Sequence, residues 1–177
     1  MTTTCTPSKS HRSEDFLSAE NLDRADAAVA EVFTMMFGFE IQPTEVTHSP
    51  LPPCLPDERT AIVGFSGSMR GSCQIRMTTQ AARAVGSAML GDASICDGDD
   101  AINDTLGELC NMLAGGWKNC VPGLSSQCVL SPPTIITGSD YKVHMSKPSQ
   151  KLARTYRFDR YTLCLLLCRE DNELAPA

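Results

Sequence analysis

The chain has 177 residues, 42% of them apolar, enough for one domain with a sizeable core. Its net charge of −6, without any cluster of Lys and Arg, excludes a general nucleic-acid binder, whose phosphate contacts need grouped cations. No apolar run is long enough to span a bilayer and the N-terminus lacks an apolar signal core, so a cytoplasmic protein with no membrane contact is expected.

The polar, aperiodic stretch to about residue 13 reads as a disordered tail. A helix follows from Ser18 or Asn21 to Phe37, stopped by Gly38, with Leu22, Ala25, Val29, Val32, Phe33 and Met36 as its apolar stripe. Residues 39–46 suit a strand, and the proline-rich stretch 49–58 an extended loop. Residues 60–65 and 72–77 are strand-like around the turn SGSMRG, a hairpin. GFSGS lacks the spacing of a nucleophile elbow and lies between strands, and GSMRG is too short for a phosphate loop. A helix over 78–90 opens on Thr78 or Thr79 and closes near Gly91. The acidic loop after it lacks EF-hand spacing.

Residues 99–121, DDAINDTLGELCNMLAGGWKNCV, form the longest periodic segment. At about 100° per residue, Ile102, Leu106, Leu109, Cys110, Leu113, Trp117 and Cys120 share one side. Asp104, Glu108, Asn111 and Gly115 share the opposite side, within an arc of roughly 60°. Such faces are usually only solvated. Here, however, Asn is a poor mid-helix residue, and Gly115 and Gly116 each cost about 1 kcal/mol relative to Ala. A glycine beside Asn111 lets a partner come close.

Strands are expected at 127–130, 134–136, 141–145, 155–158 and 161–168, and 171–177 as a frayed end. The order of elements gives an α+β fold, long helices packed on a largely antiparallel β-sheet. Nine cysteines, odd in number and without a C-x-x-C pair, argue for reduced core residues, and His11, His48 and His144 lack ligand spacing, so no metal is expected.

The run Asp104-x3-Glu108-x2-Asn111, followed by SPPTIITG from Ser131 to Gly138, resembles the signature of the CheC/CheX/FliY chemotaxis phosphatases. The family spacing from Asn to Pro is about twenty-two residues, which matches Pro133 to within one residue and Pro132 to within two. With one intact motif in a short chain, the resemblance is closest to the CheX branch. It implies a single CheX-like domain over 19–170, between tails 1–18 and 171–177, with an internal pseudo-repeat. In the first helix Ala27-x3-Glu31-x2-Thr34 keeps the Glu and replaces the Asn, and Thr34 to Pro56 spans the interval of Asn111 to Pro133.

The resemblance further implies a phosphatase for the phospho-aspartate of a CheY-like response regulator. Glu108 and Asn111 would be catalytic, and Asp104, Gly115 and Pro133 would touch the partner. Such a protein needs no cofactor of its own, since the receiver supplies Mg2+, and a homodimer resembles the CheX branch. The other reading of the same residues is a non-catalytic module docking on a receiver or a motor-switch component.

Overall fold

The computed structural model describes residues 16–47, 56–91, 98–124, 127–138, 141–143 and 148–170. The expected tail to about residue 13, most of the proline-rich and acidic loops, and the end from 171 lie outside the described residues.

Helix α1 (Ala19–Val32) opens where the Ser18 side chain accepts the Asn21 N–H at 3.2 Å, which settles its start at Ser18. A π-helical turn (Phe33–Phe37) continues it, and Gly38, at φ 68°, ends it in the left-handed conformation. That turn corrects the expected stripe. An i→i+5 turn advances each residue by less than an α-helix does, so Phe37 comes under Phe33 and is buried, while Met36 is 53% exposed.

Strands β1 (Ile41–Thr47), β2 (Glu58–Gly67) and β3 (Gly71–Thr78) follow. Helix α2 (Thr79–Leu90) is capped by the Thr78 side chain and closed by Gly91 at φ 70°. Helix α3 (Asp99–Cys120) is unbroken. Strands β4 (Cys128–Leu130), β5 (Thr134–Thr137), β6 (Pro148–Phe158) and β7 (Tyr161–Glu170) complete the fold. Residues 141–143 are not in a strand, contrary to expectation, and 144–147 lie outside the described residues. Strand β6 starts well before 155. Lys151, Arg154 and Arg157 hide its alternation, although Leu152, Tyr156 and Phe158 are all buried.

The seven strands form one sheet in the order β1-β6-β7-β3-β2-β4, with β5 also paired to β2, and every pair is antiparallel. Exchanging β1 with β4/β5, β6 with β2 and β7 with β3 turns this order into its own reverse. The chain thus runs helix–edge strand–hairpin twice, with α2 between the halves. The edge strand of the first half is β1, which carries Pro43. Pro56 lies in the turn before β2 and does not occupy the place of Pro133, although the sequence interval is equal.

The helices lie on one face, over alternating residues such as Ala61, Val63, Cys73, Ile75, Leu165 and Leu167, all buried. Helix α3 packs against both other helices and over β2 and β3. Residues 16–18, assigned to the tail from sequence, belong to this body: Phe16 is buried and meets the Trp117 ring edge-on at 6.0 Å. No helix among the described residues is long and apolar enough to cross a membrane.

Candidate functional site

Helix α3 is fastened along its length, and its polar row is left open. At its start, Arg59 of β2 donates to Asp99 Oδ1 at 2.6 Å and to Asn103 Oδ1 at 2.7 Å. Midway, the Cys110 thiol reaches the carbonyls of Ala61 and Cys73, each at 3.6 Å. Near its end, Trp117 Nε1 donates to Asn21 Oδ1 at 3.0 Å, while Asn21 Nδ2 donates to the Phe16 carbonyl at 2.8 Å. Lys118 Nζ reaches the Cys128 carbonyl at 3.0 Å. Ile102, Leu106, Leu109, Leu113 and Trp117 are buried as expected, whereas Cys120 is exposed because the helix ends there.

On the opposite side Asp104 and Glu108 are exposed. Asn111 is half-buried, where full exposure follows from periodicity alone. The sheet edge runs beside this part of the helix. Strands β4 and β5 pair with the same strand, β2, at Phe65–Gly67 and Arg59–Ile62. Between them Pro132 and Pro133 have no N–H to give, and the ladder is interrupted. Ser131 holds the gap in place: its N–H donates to the Gly64 carbonyl at 2.9 Å and its Oγ accepts the Gly64 N–H at 2.8 Å. The segment then leans on α3. A Cβ at Gly107 would lie 3.1 Å from Pro133 Cγ and 3.5 Å from Ile135 Cδ1, and one at Gly115 would lie 3.9 Å from Leu130 Cδ1.

Thus Asp104, Glu108, Asn111 and Gly115 share one strip, and Pro133 is the proline that lies over Gly107. The neighbour of Gly115 is the chain's own Leu130. Gly116 faces α1 instead, where its Cβ would meet Ala28 Cβ at 3.4 Å. The role of Gly107 was legible only as a glycine in mid-helix, one residue before Glu108. The pairing of Arg59 with α3 left no trace in sequence.

Glu108 and Asn111, three residues apart on a helix, have side chains within about 6 Å of each other. They offer an acceptor and a carboxamide that both donates and accepts. They do not by themselves form a base–nucleophile pair. Among the described residues no three His, Cys, Asp or Glu side chains are grouped as a metal site. The buried thiols are poor nucleophiles: the Cys110 hydrogen bond, then burial, pushes the Cys73 thiol up, and burial pushes Cys168 up to about 11. Cys5, Cys54 and Cys96 lie outside the described residues.

The chain is similar to known proteins at three levels. It is 29% identical over 102 residues to the CheY-P phosphatase CheX of Thermotoga maritima, a match covering 58% of this chain and 63% of that protein's length. A chemotaxis protein CheX from Desulfovibrio desulfuricans shares its fold at 24% identity and a TM-score of 0.70, over 85% of this chain and 99% of the other. The CheX–CheY–BeF3–Mg2+ complex of Borrelia burgdorferi contains the same fold at 20% identity and a TM-score of 0.71, over 85% and 98% of the two chains. The family model for chemotaxis phosphatase CheX matches residues 59–157, which include all of α3 and the proline-interrupted edge. That span exceeds half of the sequence, and the chain belongs to the chemotaxis phosphatase CheX family.

Proposed function

We propose that this protein accelerates hydrolysis of the phospho-aspartate of a CheY-like response regulator, inserting Glu108 and Asn111 into the receiver's active site. The observation that carries the reading is the open strip on α3. A carboxylate and a carboxamide stand side by side on one helix, and among the described residues no three His, Cys, Asp or Glu side chains are grouped as a metal site. Such a pair completes a site on another molecule. The receiver holds Mg2+, a Lys and the acyl phosphate, and lacks a well-placed water.

Asn111 orients that water in line with the P–O bond. The water oxygen bonds to phosphorus, the bond to the aspartate oxygen breaks, and inorganic phosphate and a free carboxylate result. Positioning of this kind dominates phosphoryl-transfer catalysis. Glu108 pairs with the receiver's Lys. Asp104 and Pro133, both exposed, are contact residues, and the half-exposed Gly115 gives the receiver room. The relatives support the reading: one is named a CheY-P phosphatase, and another was crystallised with CheY, BeF3 and Mg2+. The reading places the protein in the cytoplasm with its receiver, as a homodimer.

The test is phosphate release from a panel of the host's phosphorylated receivers, with and without the protein. Faster release from at least one receiver is expected. Tight binding to a receiver with no acceleration would replace this reading with a non-catalytic docking module. Sedimentation of the purified chain checks the dimer.

A further inference from the structure

Gly107, Asn111 and Gly115 form one row, each four residues after the last, so they stack along a single ridge of α3. Two of the three are glycines, each unfavourable in a helix interior. The edge segment meets this ridge on either side of Asn111: Pro133 at Gly107, with a would-be Cβ to Cγ distance of 3.1 Å, and Leu130 at Gly115, at 3.9 Å. The segment's own place is fixed by Ser131 on Gly64, at 2.8 and 2.9 Å. Asn111 sits between the two contacts and is half-buried, while Glu108, off the row, is exposed.

We propose that Gly107 is a positioning residue for Asn111. It lets the Pro133 ring close onto the helix, and the resulting wall narrows the rotamers open to the Asn111 carboxamide. The inference rests on the phosphatase reading above. A carboxamide that must hold one water in line gains from losing its side-chain freedom before the receiver arrives. The close contact at Gly107 has no such consequence at Gly116, which faces Ala28 on α1.

The experiment is a set of five variants assayed with one phosphorylated receiver. Binding is measured against the same receiver loaded with beryllofluoride and Mg2+. The Asn111 side-chain amide is followed by 15N NMR in the free protein. Gly107→Ala should keep its Tm or raise it, lower kcat about ten-fold, leave KM within about two-fold and move the Asn111 amide signals. Pro133→Ala removes the nearest atom from the other side and should also lower kcat. The Gly107→Ala/Pro133→Ala double variant should lie closer to wild type than either single, because the new Cβ fills the vacated space. Gly116→Ala should leave both kcat and the Asn111 signals unchanged. If Gly107→Ala does not fold, Pro133→Ala and the NMR readout still decide the matter.

Wild-type kcat with unmoved Asn111 signals in Gly107→Ala would overturn the proposal. So would a loss confined to receiver binding, or an equal loss of kcat in Gly116→Ala. Asn111→Ala in the same assay separates the two readings. If it turns over like wild type, the phosphatase mechanism fails, whereas if it is inactive and Gly107→Ala is not impaired, only the positioning role fails.

Discussion

The two halves of the molecule place equivalent helices on the same sheet and leave Glu31, Thr34 and Glu108 exposed alike, but they differ in the helix that carries the motif positions. In α3 the α-helical register holds from Asp99 to Cys120, so Glu108 and Asn111 stay on one strip while the apolar side stays in the core. In α1 the register gives way at Phe33, one residue before Thr34. The π-helical turn buries both Phe33 and Phe37, whose rings meet edge-on at 5.4 Å, and Phe33 also packs on Phe158 at 4.9 Å. Core packing has taken over the end of the first helix, and Met35 is left 77% exposed there. Ala30 stands one residue before Glu31, where Gly107 precedes Glu108. The halves thus differ both in the residues at the motif positions and in the helix register beneath them.

Four changes break or sharpen this contrast. On the proposed mechanism, in which Asn111 places the water, Asn111→Ala should cut receiver dephosphorylation by about two orders of magnitude at saturating receiver, with binding nearly unchanged. Circular dichroism should show a fold stable to within about 0.5 kcal/mol of wild type. Wild-type turnover in that folded variant would refute the mechanism. Glu108→Ala should lower turnover less and weaken receiver binding as well, because the proposed ion pair with the receiver Lys would serve both; titration calorimetry with the beryllofluoride-loaded receiver reads the second effect.

Asp26→Ala tests the other half. Asp26 receives two hydrogen bonds from Arg154, at 2.8 and 3.1 Å, and one from the Tyr156 hydroxyl at 2.8 Å. Burial, with the Asp26 carboxylate beside it, pushes the Tyr156 phenol well above its usual range, so it stays a neutral donor. Removing the shared acceptor, with Arg154 only 14% exposed, should cost about 2–3 kcal/mol in urea unfolding. The turnover of the folded fraction should remain near wild type, because the proposed pair, Glu108 and Asn111, stands on α3 and not on α1. A proportionate loss of turnover would mean that the halves are coupled. The smallest effect is expected from Thr34→Asn placed in the Asn111→Ala background: restoring the carboxamide on the π-helical turn should return no activity. Recovery of turnover would show that residue identity alone, and not helix register, separates the halves.

Local pattern was sufficient for much of the molecule. The 3.6-residue period drew α3 and its polar strip, Ser18, Thr78, Gly38 and Gly91 marked helix ends, and the SGSMRG turn marked the β2–β3 hairpin. These features arise from neighbours a few residues apart, whose dihedral and capping preferences are written in the sequence itself. Other features depend on which distant surfaces meet. The π-helical turn brings Phe33 onto both Phe37 and Phe158, a residue more than a hundred positions away. The length of β6 was hidden until Arg154 found its acid on α1. That Pro133 lies over Gly107, and that Asn111 is half-buried, appear only in the tertiary structure, where the β4–β5 edge meets the glycine ridge of α3. Periodicity assigns a side chain to a face, but how deeply that face is covered is decided by another element arriving from elsewhere in the chain.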